Sequence, residues 1–394
     1  TTTTSVSEDD LGRIRTVVVN YSDYDQFGNA LSQSVETRAV DADGTPIVDS
    51  NGDPVRVEVS DSDLTALGFG GLLADVDGNS RLSSLQKVII DQSAGTGSDA
   101  VVDYADLKAM LDNASDAFDD IVGLVVAAQD SADTTNTITD ATFKEMGVDG
   151  VTDVAISGID DDAEMAAVIK DALVNTPDSI NSLEAIQAIV DNYTQVLSVA
   201  SGDVTGANAV ITNAQFTNLG VTLSSDDTQE PSALAELLSG IIANKASPAG
   251  GNATDNVDSI NELQALADAA KKVFDSAALD ADPAAGDAAV LATQTDLNTL
   301  GFDIVDADNL DAIQRVLVRN AADRDAVKNY TDLKSLIDAA VDAHTALTDL
   351  IVTAQGGSTP DLTGLDEADF AAMGLDDVDN SNVAAALDAL SNTP

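Results

Sequence analysis

The sequence predicts a mainly α fold: tandem small helical bundles with a period of about 73–81 residues, preceded by a short β-rich segment. Three observations lead there. One phrase, an apolar residue, two variable residues, Leu or Met, Gly and another apolar residue, occurs five times. Its copies are Leu64-Thr-Ala-Leu67-Gly68-Phe69, Phe143-Lys-Glu-Met146-Gly147-Val148, Phe216-Thr-Asn-Leu219-Gly220-Val221, Leu297-Asn-Thr-Leu300-Gly301-Phe302 and Phe370-Ala-Ala-Met373-Gly374-Leu375. Their glycines are 79, 73, 81 and 73 residues apart. Apolar residues at helical spacing follow each copy. Finally, 44% of the chain is apolar but only 3% is aromatic, with no Trp, so cores must be small and built from Ala, Val, Leu and Ile.

The first 59 residues read as the β-rich segment. Arg15-Thr-Val-Val-Val-Asn20 and Val55-Arg-Val-Glu-Val59 have strand composition. Between them, Asp41-Ala-Asp43-Gly44 and Asp49-Ser-Asn51-Gly52-Asp53-Pro54 are turn signals. The segment is expected to cap the helices or to end a domain upstream. Thr1–Thr4 open the chain without a Met, which suggests a processed product or an excised fragment.

From Ser60 onward each unit opens on a short helix. Ser60, Thr139, Thr212, Thr293 and Asp366 stand four residues before the leading Leu or Phe, and all are N-cap types. The glycine falls where a two-turn helix would stop in a left-handed conformation. The next residue should then pack on the one four before the glycine, as Phe143 with Val148 or Phe370 with Leu375. A second helix follows, marked by Leu82, Leu85, Val88 and Ile89, by Leu310, Ile313, Val316 and Leu317, and by Leu234, Leu237, Leu238 and Ile241. A third, longer helix is announced by Asp103-Tyr104-x-x-Leu107, Ser179-Ile180-x-x-Leu183, Ser259-Ile260-x-x-Leu263 and Asn329-Tyr330-x-x-Leu333. The expected units are 60–138, 139–211, 212–292 and 293–365, with a partial fifth at 366–394. No third helix covers Val383, Ala386, Leu387 and Leu390 of the fifth. Either the chain is cut within a repeat, or another subunit covers that face in a head-to-tail contact. Arg15–Val59 is then the available partner, and such a contact propagates as a filament or lattice.

Charge excludes several classes of partner. The 394 residues carry 69 acids, 59 of them Asp, against 17 Lys and Arg, for a formal charge of −52. Such a chain repels phosphate backbones and anionic membranes, so no nucleic-acid partner is expected. The longest apolar run, Ile121–Ala128, is far short of the roughly 18 residues a membrane span needs, so no membrane insertion is expected. Without Cys there is no thiolate nucleophile, disulfide or zinc-thiolate site. The single histidine, His344, lies in a plain helical stretch and reads as a helix-surface residue. Gly68-Phe-Gly70-Gly71 lacks the strand and the Lys of a phosphate loop. No catalytic constellation stands out, and no enzymatic activity is expected.

The candidate ligand is calcium. Asp75-Val-Asp77-Gly78-Asn79 runs through Ser83 into a helix, with hard oxygens at alternate positions, as calcium's six to eight oxygen ligands require. The glycine falls at position 4 and Gln86 stands where a final acid is wanted, so the residues equally suit a plain Asp/Gly loop with an N-cap. Asp41, Asp43, Asp49, Asn51 and Asp53 form a second candidate that hairpin turns would also explain. Asp160-Asp161-Asp162 reads as negative charge at a helix N-terminus.

The Cys-free, Asp/Thr/Ala-rich units, with phrases such as Phe216–Val221 and Asp258-Ser-Ile-Asn-Glu-Leu-Gln-Ala-Leu266, resemble the repetitive helical regions of large bacterial surface proteins. These are type I-secreted giant adhesins, biofilm-matrix proteins and some surface-layer proteins. The resemblance covers about residues 60–394 and implies secretion, calcium-rich surroundings and a stalk or assembly role. The expected function is therefore that of an extracellular structural and interaction protein of a bacterial cell surface. It would be a repetitive stalk, or a self-assembling matrix, filament or lattice component that supports adhesion. Its expected partners are its own copies, head to tail, and other surface or matrix proteins. The alternative is a binding module whose three-helix units bind a host or matrix protein.

Overall fold

The computed structural model describes the backbone of Thr2–Glu8, Ile14–Tyr24 and Ala30–Ala39. It also describes residues 59–391 except 95–103, 130–137, 152–161, 177–181, 204–209, 224–231, 245–256, 278–290, 320–326, 356–364 and 376. The protein is mainly helical, with fourteen α-helices among the described residues. Strands β1 (Thr2–Glu8), β2 (Ile14–Tyr24) and β3 (Ala30–Ala39) pair antiparallel in the order β1-β2-β3, Ser5 facing Val17 and Val17 facing Thr37. The turn signals of 41–44 and 49–54, and residues 55–58 of the expected later strand, lie outside the described residues. Val59 is in no strand; its carbonyl accepts from Gln86 Nε2 at 2.6 Å.

Five short helices share one construction: α1 (Asp61–Ala66), α4 (Asp140–Glu145), α7 (Asn213–Asn218), α10 (Gln294–Thr299) and α13 (Glu367–Ala372). A six-residue helix is too short to persist through its own hydrogen bonds, so its ends must be fixed. At the start, the backbone N–H of Ser60, Thr139, Thr212, Thr293 and Asp366 donates to the side chain three residues on, at 2.8–3.2 Å. This is the return bond of a capping box. At the end, Gly68, Gly147, Gly220, Gly301 and Gly374 hold φ between +74° and +93°. The N–H of the following residue reaches back over the stop to Leu64, Phe143, Phe216, Leu297 or Phe370 at 2.8–3.0 Å. That is the 6→1 bond of the Schellman motif.

Each of the first four short helices is followed by two more. The second helices are α2 (Leu82–Ala94), α5 (Asp162–Asn175), α8 (Ala233–Asn244) and α11 (Leu310–Arg319); the long ones are α3 (Tyr104–Gln129), α6 (Leu183–Ala200), α9 (Ile260–Ser276) and α12 (Tyr330–Gln355). After α13 comes α14 (Val383–Ser391). The cap of α6 is Ser182, whose Oγ accepts from Ala185 N–H at 3.2 Å; Ser179, the expected cap, lies outside the described residues. The third-helix phrase in this stretch is therefore Ser182-Leu183-x-x-Ile186, three residues later than expected. Two overlapping Ser-x-x-x-apolar registers made the choice ambiguous.

Long helices tie consecutive groups together. Each packs on its own second helix (α2–α3, α5–α6, α8–α9, α11–α12) and on the next short helix (α3–α4, α6–α7, α9–α10, α12–α13). It also packs on the next second helix (α3–α5, α6–α8, α9–α11, α12–α14), while α6, α9 and α12 reach back to α2, α5 and α8. One buried cluster consequently runs without a break from Ala117 to Ala340. Smaller clusters close the two ends, around Leu64, Leu85 and Leu111 and around Leu347, Phe370 and Leu387.

After the first four stop glycines the next residue is covered in one of two ways. Tyr104 stacks on Phe69 and Tyr330 on Phe302, with ring centroids 5.3 and 5.7 Å apart. In the two middle groups that residue is Val148 or Val221, and a Gln of the long helix clamps the backbone beyond it. Gln187 bonds the N–H and carbonyl of Asp149 at 2.9 and 3.0 Å, and Gln264 those of Thr222 at 2.8 and 3.3 Å. A residue in the first two turns of each long helix is thus held against a Schellman turn.

One carboxyl is held toward its neutral form. Burial, aided by the adjoining Asp258 carboxyl, pushes Glu262 from its ordinary value up to about 7. A raised acid stabilises the fold fully below the unfolded value near 4.5, and that contribution is lost as pH rises through about 7. Glu262→Gln should therefore flatten the fall in melting temperature between pH 5 and 8, roughly the window that linkage sets, and exceed the parent at its upper end. Identical pH profiles for the two proteins would contradict this.

Candidate interaction groove

The expected calcium loop is a tight turn. Asp77 and Gly78 both have positive φ, +48° and +84°, while Val76 and Asn79 exchange backbone hydrogen bonds at 3.0 and 2.9 Å. Positive φ at both central residues marks a type I′ hairpin turn. Asp75 and Asp77 are exposed, and Asn79 turns its amide nitrogen inward to the carbonyls of Val76 and Asp77. Ser83 lies in the first turn of α2, where its Oγ accepts from the Leu183 N–H that opens α6, at 3.1 Å. The cation organising this loop is the buried Arg81 guanidinium, which donates to the Leu72 and Ala74 carbonyls and to Asp119. Among the described residues no three His, Cys, Asp or Glu side chains gather closely enough to hold a metal ion. Asp41, Asp43, Asp49, Asn51 and Asp53 lie outside the described residues, as do Asp160 and Asp161; Asp162 opens α5.

An open groove of about 900 Å³ lies at the other end. One wall is α11, with Asp311, Arg315 and Arg319; α12 contributes His344 and Leu347 to the floor. Phe370, Gly374 and Leu375 of the α13 turn and Ala386, Ala389 and Leu390 of α14 close the opposite side. His344 is indeed on a helix surface, half-buried, but that surface is the groove. Arg315 is tied to Asp311 one turn back at 2.9 Å.

Exposure explains the groove. Phe69, Val148, Val221 and Phe302 are 3, 4, 1 and 3% exposed, each beside the start of a long helix. Leu375, at the same place after Gly374, is 37% exposed, and its expected packing against buried Phe370 is incomplete. The opposite end is open too: Leu67 is 49% exposed, while Met146, Leu219 and Leu300 at the same place in later turns are fully buried. Arg315, Arg319 and Leu375 carried no sequence signal as site residues beyond their position in the phrases.

None of the described helices is long and apolar enough to cross a membrane. No family model, curated relative or solved structure matches the chain.

Proposed function

We propose that the chain is an array of tandem copies of one helical unit, with a period of about 73–81 residues, following a β-rich segment over residues 1–59. Its role is that of an extracellular structural and interaction protein of a bacterial cell surface, assembling into a stalk, filament, lattice or matrix that supports adhesion. The observation that supports this most is the sharing of each long helix between successive groups, which lets a core lengthen by addition of groups. The open ends at Leu67 and Leu375 are suited to further contacts, and calcium at the Asp75–Asn79 turn or in the 41–53 stretch is the proposed ligand.

Light scattering tests the reading. Particle size should grow with protein concentration, shrink on deletion of Ala368–Pro394, and respond more to calcium than to magnesium at matched ionic strength. Unchanged size after the deletion contradicts head-to-tail assembly, and equal effects of the two ions reduce the calcium effect to screening. The groove of about 900 Å³ also favours a second reading, a binding module for a host or matrix protein. Saturable binding of such a protein without any self-association would select it.

A further inference from the structure

We infer that the groove between α11 and α14 receives an acidic amphipathic helix of the class formed by α6, α9 and α12, with its first turn over Leu375. The inference deepens the proposed assembly role and rests on it. Its argument is that the chain already shows the same surface filled three times.

In each filled case a long helix lies on its own second helix and on the second helix of the preceding group. At the end of the array those two helices are α14 and α11, the walls of the groove. Aligning Leu310, Ile313, Val316 and Leu317 with Leu82, Leu85, Val88 and Ile89 sets Asp311 at the place of Ser83 and Arg315 at that of Lys87. Ser83 receives the first N–H of α6, so Asp311 is placed to accept from the N-terminus of an incoming helix, where a carboxylate also suits the helix dipole. Lys87 pairs with Asp149 just past the stop glycine at 2.8 Å. Arg315 keeps that position, its Cβ 3.1 Å from where a Cβ on Gly374 would stand.

Seating is intimate in the filled copies. A Cβ on Gly240 of α8 would stand 3.0 Å from Tyr330 Cβ, the first residue of α12. Leu375 stands at the place of Phe302, on which the same Tyr330 stacks, and is left uncovered. Charge points to the same occupant. Arg315 and Arg319 line the groove beside Asp311, which pairs with Arg315, and Asp377, in a chain with only 17 Lys and Arg against 69 acids. A helix carrying acids, as α6 does at Glu184 and Asp191, finds in Arg319 and Arg315 two of the chain's few cations.

A labelled synthetic peptide, Ser182–Ala200, titrated with the full chain and read by fluorescence anisotropy in about 0.15 M salt, tests this. Saturable one-to-one binding is expected, and a scrambled peptide should not bind. Ala389→Arg, which fills the groove from an exposed helix position, and Leu375→Asp, at a partly exposed seat, should each weaken binding by about tenfold or more. Ala384→Arg, exposed on another side of α14, should bind as the parent does, and unchanged melting temperatures show that the variants fold. Absence of saturable binding, equal binding of the scrambled peptide, or indifference to both groove variants overturns the inference. Scattering keeps the two readings apart. A chain that assembles but ignores the peptide loses this inference alone, while one that binds the peptide without assembling loses the assembly role.

Discussion

Arg81→Ala is expected to destabilise the first helical group by about 3 kcal/mol, the low end of the range for breaking a buried ion pair. The Arg81 side chain is 11% exposed, and its Nε and Nη2 donate to the two carboxylate oxygens of Asp119, both at 2.6 Å. Its Nη1 serves the carbonyls of Leu72 and Ala74. One planar fork thus fastens the 69–81 loop to the middle of α3. Removal strands Asp119 and the two carbonyls together, in a chain where another carboxylate raises the repulsion. Asp119 is 39% exposed and regains some hydration, which places the loss at the low end. Arg81→Lys should fall between parent and Ala, because an ammonium cannot bridge both oxygens in one plane. Urea unfolding, followed by hydrogen exchange in α1–α3, reads the effect. A loss below about 1 kcal/mol would mean that the fork contributes no more than an exposed pair.

What could be read in the sequence was what neighbouring residues determine. Caps and Schellman stops depend on a handful of adjacent positions, so Thr212-x-x-Gln215-Phe216-x-x-Leu219-Gly220-Val221 announces both ends of α7 by itself. The starts of α9 and α12 were equally legible at Ser259 and Asn329, where the side chains accept from Glu262 and Asp332 N–H at 3.2 and 2.9 Å. Register failed where local chemistry offers two answers. Ser179 and Ser182 are equally good caps, and distant contacts distinguish them, the clamp of Gln187 on Asp149, 38 residues away, and the bond from Leu183 N–H to Ser83.

Contacts between groups were not legible, for the same physical reason. Ser83 has a hydroxyl oxygen of the kind that suits calcium, and in the fold that oxygen accepts from Leu183 N–H, 100 residues on. Arg81 carries no local signal beside the aspartates, because its guanidinium joins positions 72, 74 and 119. The groove was visible only as an apolar second helix without a third. Its lining joins Arg315 of α11, His344 of α12 and Leu390 of α14, which no local stretch of sequence brings together.

Gly220→Ala is expected to be among the most damaging single-atom additions in the chain, and Gly202→Ala supplies the control. Both glycines end a helix in the same Schellman geometry, with φ of +82° and +77°. The return bonds run from Val221 N–H to Phe216 and from Asp203 N–H to Ser198, at 2.9 and 3.0 Å. Left-handed backbone alone should therefore cost about 1 kcal/mol at either site when a Cβ is added. They differ in what stands outside. A Cβ at Gly202 would meet nothing within 4 Å. At Gly220 it would lie 2.7 Å from Asn175 Cβ and 3.6 Å from the Asn175 carbonyl carbon, at the end of α5. Neither atom is the far end of a flexible side chain, so α5 and α7 must move apart, which adds about 1–3 kcal/mol of overpacking strain. The expected total is about 2–4 kcal/mol at Gly220 against about 1 at Gly202. Because α6 packs on both α5 and α7, the movement should also lower protection from hydrogen exchange in α6. Equal losses at the two glycines would mean that the close approach of successive groups contributes nothing to stability, and that the array is held by its long helices alone.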